Sequence, residues 1–144
     1  MLLNAHGSSK GKIGVFIEEH FDMTEYRLFN QRLPAAGYDL QYISNLWGNA
    51  SLQFGSNPDN GWVEEHLIVS EDVHSVNPSE YKGFLIIGAY ATDRLRYTVK
   101  PEKGKANDAP AVELLRKIMS TSGVKVGTIC HSLWLLCADR TLLE

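Results

Sequence analysis

Cysteine is scarce: Cys130 and Cys137 are the two in 144 residues, and they lie close together in the sequence. A disulfide framework is therefore excluded as the source of stability, and a reducing, cytoplasmic setting is expected. On one helix they would stand about 10 Å apart by helical rise. That exceeds the roughly 7 Å a direct disulfide tolerates, so Cys137 is expected in the core rather than as a resolving thiol. No apolar run approaches the ~20 residues of a membrane span. The N-terminal segment lacks the basic region and apolar stretch of a secretion signal. A net charge of −3 with scattered basic residues leaves no nucleic-acid footprint. The five histidines show no ligand spacing, so no metal is expected. Internal repeats and low-complexity tracts are also missing.

What is present is the composition of an ordinary globular domain, 44% hydrophobic and 22% charged, long enough for one core. Residues 1–11 read as a flexible leader and 12–144 as the folded domain. Lys12 to Glu18 is a strand apolar on both faces, as a central parallel strand requires. Thr24 can cap a helix whose stripe is Tyr26, Phe29, Leu33 and Ala36, with Pro34 in its last turn and Gly37 as its stop. Tyr38 to Ser44 alternates like a strand, completing a βαβ unit. Residues 45–61 form a turn-rich excursion without periodicity. Trp62 to Val69 reads as a strand, half of a small hairpin. Gly83 to Gly88 is the most apolar strand, followed by a loop or short helix over 89–96. Residues 100–107 form a polar connection, and Pro110 opens a helix carrying Val112, Leu115, Ile118 and Met119. Trp47, Trp62 and Trp134 read as core or interface aromatics.

The last strand, 124–129, runs into Cys130 and is followed by a leucine-rich stretch. Strand, sharp turn with a nucleophile, then helix is the pattern of a nucleophile elbow. A thiol over a helix N-terminus meets unpaired N–H groups and a favourable dipole, which can bring a cysteine pKa from about 8.5 into the range ~3.5–7.5. The other reading is a free cysteine buried where a core strand ends. Alternating strands and helices predict an α/β protein of flavodoxin-like type, with an open, mainly parallel sheet and helices on both faces. Ligands of such sheets bind at the C-terminal strand ends. The acidic loop after residue 17, the loop after Gly88 and Cys130 all fall there, which favours a functional Cys130.

Three ordered segments, KIGVFIEEHFDMTEY, NPSEYKGFLIIGA and GTICHSLWLLCADRTLL, resemble the ThiJ/PfpI family of the class I glutamine amidotransferase-like superfamily. The resemblance implies Cys130 as nucleophile and Glu25 as the carboxyl beside it. By the residues alone, Glu25 reads instead as a first-turn glutamate that merely favours the helix dipole. His131 and Asp93 match a histidine and an acid that pair across subunits in peptidase-like members. The alternatives are a His131 pointing away from the thiol and an Asp93 paired with Arg94 or Arg96. The implied oxyanion hole uses N–H groups after Gly88 and after Cys130. Here Gly88-Ala89 replaces the usual Gly-Gly pair, and Ser132 replaces a glycine of the elbow, where its hydroxyl would narrow the pocket or meet a polar substrate. Tyr90 would line the mouth or lie on the surface. Family members continue beyond the elbow helix, so the C-terminal part of the family domain is expected to be absent here, with an uncovered sheet edge and self-association as consequences.

The function implied is a cysteine-dependent enzyme acting on a small carbonyl compound or a peptide, either as peptidase or hydrolase or as glyoxalase or deglycase. It would need no cofactor, work as a homo-oligomer, and engage neither nucleic acid nor membrane. Two rivals stand beside it: an oxidation-sensing or chaperone-like module using the same cysteine, and a glutamine amidotransferase-like domain. The last is disfavoured because no C-terminal His-x-Glu is present.

Overall fold

A computed structural model of the chain describes residues 7–58, 63–97, 103 and 107–144. Five strands form one all-parallel sheet in the order β5-β2-β1-β6-β7: β1 (Lys12–Phe16), β2 (Asp39–Ser44), β5 (Glu71–Asp72), β6 (Gly83–Ile86) and β7 (Lys125–Thr128). β1 sits in the middle with Val15 and Phe16 fully buried, on opposite faces as strand alternation requires.

Each face has its own apolar layer. On one, Phe16, Phe84 and Ile86 meet Val112, Leu115 and Ile118 of α3 (Pro110–Met119) and Leu135 of α4 (Leu133–Cys137). On the other, Val15, Ile17 and Ile87 meet Phe21, Phe54 and Val69, with Tyr26 and Phe29 of α1 (Met23–Ala35) packed against them. Helices thus flank both faces, the flavodoxin-like α/β architecture expected. Truncating a fully buried member such as Leu115 to Ala would cost about 2–5 kcal/mol.

Several local expectations need correcting. The cap of α1 is Asp22, whose carboxylate accepts the Glu25 N–H at 2.8 Å; Thr24 lies inside the helix. The excursion after residue 44 contains a strand, β3 (Leu52–Gly55), paired antiparallel with β4 (His66–Val69). A four-residue edge hairpin is too short to show a period. Met119 is half exposed rather than in the stripe of α3. Cys137 is exposed, not core, because α4 buries Leu135 and Leu136 instead. Trp47 and Trp134 are also exposed, whereas Trp62 and most of the 100–107 connection lie outside the described residues. No helix among the described residues is long and apolar enough to cross a membrane.

Candidate active site

β7 hands the chain to an extended Ile129, and the backbone then reverses at Cys130, where φ is +55°. A left-handed conformation costs an L-residue about 1–2 kcal/mol and persists only where the surroundings over-determine it. Here they do. The Ser132 hydroxyl accepts the Ile129 N–H, and the Ser132 N–H donates to the Ile129 carbonyl at 3.0 Å. Ser132 is fully buried, so its hydroxyl is spent inside the turn. From the other side Thr92, buried on α2 (Ala91–Leu95), donates its hydroxyl to the His131 carbonyl at 2.8 Å. A tight turn over Cys130–Ser132 leads into α4, and Cys130 itself is exposed.

Glu25 reaches this turn from α1. Its carboxyl accepts the Gly88 N–H at 2.9 Å. Gly88 leaves little room: a Cβ there would lie 2.7 Å from Glu25 Oε2 and 3.2 Å from the carbonyl oxygen of Ile129. Only glycine lets the carboxyl and the peptide preceding Cys130 approach this closely. Burial pushes the Glu25 carboxyl up to about 7; the Gly88 N–H pulls the other way, and nearby Asp22 adds to the rise. Near neutrality Glu25 therefore exists in both protonation states, the condition under which a carboxyl works as acid and as base.

Ala89 is also left-handed, at φ +58°, and bridges to Phe21, while the Tyr90 N–H donates to the carbonyl of His20, itself at φ +63°. All four non-glycine residues with positive φ among the described residues, His20, Trp47, Ala89 and Cys130, therefore belong to loops at this sheet edge. No described residue accepts the N–H of Ala89 or of His131. The Tyr90 ring stands edge-on to His131, centroids 5.4 Å apart, and Trp134 lies 6.2 Å from it. His131 Nδ1 is buried without a hydrogen-bond partner among the described residues.

Asp93 follows Thr92 on α2 and is partly exposed. It forms no ion pair with a described residue: Arg94 instead approaches the Glu19 carbonyl and His20 Nδ1, and Arg96 lies over Trp134. Within the described residues no cluster of three His, Cys, Asp or Glu could hold a metal. The structure thus brings Glu25, Gly88 and the Cys130 turn together, with Ala89, Tyr90 and His131 around them. Thr92, which ties α2 to this turn, was not visible in the sequence, because one threonine in a short helix carries no signal.

The same arrangement of strands recurs among solved structures. The two-domain protein of Anabaena variabilis with DJ-1/ThiJ/PfpI-like and ferritin-like domains superposes with a TM-score of 0.69 at 19% identity, over 90% of this chain and 32% of that one. A ThiJ/PfpI domain protein from Brachyspira murdochii gives 0.64 at 14% identity, over 92% and 65%. Oxidized DJ-1 of Toxoplasma gondii gives 0.60 at 16% identity, over 87% and 58%. This chain has the DJ-1/ThiJ/PfpI-like fold. It spans between about a third and two thirds of the length of these three proteins. No family model matches the chain, and no curated protein matches it by sequence. In the DJ-1/ThiJ/PfpI-like fold of this chain, β1, β6 and β7 are adjacent and parallel, so the start of α1 bearing Glu25 and the loops bearing Ala89 and Cys130 lie at one edge together.

Proposed function

We propose that the chain is a ThiJ/PfpI relative that acts as a cysteine-dependent enzyme on carbonyl substrates. The observation that carries the reading is the Glu25 carboxyl, hydrogen-bonded to Gly88, whose α-carbon also faces the carbonyl that precedes a left-handed, exposed Cys130. In this reading the Cys130 sulfur adds to a carbonyl carbon and the displaced electron pair goes to oxygen. The N–H groups of Ala89 and His131, which no described residue accepts, hold that oxygen, and removing one such donor typically costs ~10²–10³ in rate. With a 2-oxoaldehyde the adduct is a hemithioacetal. Glu25 takes the proton from its carbon and returns one to the neighbouring carbon, giving a thioester that water cleaves to a 2-hydroxy acid and free thiol. With a peptide, loss of the amine gives the thioester directly.

Self-association through exposed Ile129, Leu133 and Trp134 beside the turn, and a cytoplasmic location, go with this proposal. Methylglyoxal and a model peptide are the substrates to assay. Cys130→Ala is expected to abolish turnover and keep the far-UV circular dichroism spectrum. Turnover surviving in that variant would sink the assignment.

The exposure of Cys130, in the turn that shares Gly88 with a carboxyl protonated part of the time, supports a second reading, oxidation sensing. A protonated carboxyl can donate to a sulfinate oxygen, and such a product is reached from an accessible thiolate. Mild peroxide followed by mass spectrometry separates the two cysteines, since both are exposed. Selective oxidation at Cys130 supports sensing, and equal reaction at Cys137 counts against it.

A further inference from the structure

A concavity of about 350 Å³ opens on the same edge of the sheet, where the loops after β1 and β2 face α2. It is lined by Glu18, Asn45, Trp47, Arg94, Leu95 and Tyr97, none of which belongs to the Cys130 site. The volume is at the lower end of the ~300–1,000 Å³ typical of small-molecule sites.

Two of its polar side chains are more than nine-tenths buried, Glu18 at 8% exposure and Asn45 at 4%. Glu18 commits Oε1 to the Glu19 N–H at 2.8 Å, and Oε2 meets no donor among the described residues. Asn45 commits Oδ1 to the Trp47 N–H at 3.2 Å, and its Nδ2 has no described acceptor. Neither free atom is sealed from solvent, unlike Ser44 Oγ, Arg96 Nε and His131 Nδ1. Both residues line the cavity. A ligand filling the cavity would take water from these atoms and must supply their partners itself.

The aromatic wall is built under strain. Trp47 is left-handed at φ +52°, followed by Gly48 at +82°. The Asn45 amide and the Asp72 carboxylate, which accepts the Leu46 N–H at 2.9 Å, hold this turn. A bulky side chain at positive φ is a conformational outlier, here placing an indole at a cavity mouth. Arg94 brings further donors, of which two are engaged by the Glu19 carbonyl and His20 Nδ1.

A carboxylate acceptor, amide and guanidinium donors, and exposed aromatic rings suit hydroxyl groups, because each hydroxyl both donates and accepts. The aromatic faces suit the C–H face of a sugar ring. We propose that this pocket binds a small polyhydroxylated ligand of monosaccharide size, with Glu18 and Asn45 pairing neighbouring hydroxyls and Trp47 covering the ring.

The test titrates D-glucose, D-ribose and myo-inositol into the full chain, following indole NMR signals, with Trp47→Phe identifying that of Trp47. Saturable binding of at least one, with the Trp47 signal moving, is expected. Glu18→Gln should weaken it by about tenfold or more, as loss of a hydrogen bond to a charged group implies. Asn45→Ala should also weaken it, and Trp47→Ala, at an exposed position, keeps the test decisive if the Asn45 variant does not fold. Cys130→Ala should leave binding unchanged, which separates this site from the proposed chemistry. Failure of all three probes to saturate, or binding indifferent to both Glu18→Gln and Trp47→Ala, would overturn the proposal.

Discussion

The Thr92 hydroxyl and the His131 carbonyl oxygen are 2.8 Å apart, and this one bond joins the helix after β6 to the turn after β7. Thr92 is fully buried, so no water replaces it if it is lost. Thr92→Val keeps the shape and removes the donor, leaving a carbonyl unsatisfied. A stability loss of about 1–3 kcal/mol is expected in urea denaturation. If the proposed chemistry holds, turnover of methylglyoxal should fall as well, because the adjoining His131 N–H is no longer held in place.

The raised Glu25 gives the fold a pH dependence with a definite sign. Unfolded, a glutamate releases its proton near 4.5, whereas in the fold Glu25 does so at about 7. Between those values the native state holds the extra proton, so stability from this group is full below the lower value and falls as pH rises through the upper one. Glu25→Gln keeps an acceptor for the Gly88 N–H and removes the charge. It should be more stable than the wild type at pH 8, on the order of 1–3 kcal/mol, with the gap closing at pH 4. Thermal melts across pH 4–8 measure this directly.

Adjacent residues should respond in opposite ways. Gly88→Ala places a methyl group against the Glu25 carboxyl and the Ile129 carbonyl, and overpacking of this kind costs about 1–3 kcal/mol. Ala89→Gly relieves a left-handed alanine, offset in part by a looser unfolded chain, for a net gain of about 0–1 kcal/mol. Equal destabilisation by both would show that the Ala89 conformation is not strained.

Asp72 sets a limit at the acid end. Burial raises its carboxyl, but the His74 N–H, the Leu46 N–H and the His74 ring outweigh that and hold it below the usual range. A depressed carboxyl stabilises above its unfolded value, and that contribution is lost as pH falls through the folded one. Asp72→Asn should cost about 1 kcal/mol at pH 7, and almost nothing near pH 2. Because the same carboxylate holds the Leu46 N–H, the Trp47 indole signal should shift in this variant.

Residue pattern alone was enough for β1, β2, β6 and α3, each of which sets an apolar run or stripe against a neighbour, and for the presence of α1, whose stripe is only half-buried and ends before the exposed cap Ala36. The hairpin of β3 and β4 was only half legible, and two-residue β5 not at all, because so few residues cannot establish a period. The elbow was legible as an order of residue types. Its geometry was not: nothing in the order of residues says that Ser132 turns its hydroxyl inward to Ile129, or that Cys137 faces out. Both follow from which side of α4 meets the sheet. Glu25 illustrates the remaining gap. Its helix position was readable, but its closeness to Gly88 arises from two strands lying side by side.

The glycines of β6 and β7 make the sheet a length standard for the site. Gly83 stands opposite Lys125, and Leu85 opposite Gly127. A Cβ on Gly83 would meet the Lys125 carbonyl at 3.0 Å, and one on Gly127 the Leu85 side chain at 2.8 Å. A slip of one residue between the strands would carry Cys130 about 3.3 Å along the strand axis and turn β7 over. That is as large as a whole hydrogen bond, so the reach between Glu25 and the cysteine turn is calibrated by two absent side chains in the middle of the sheet.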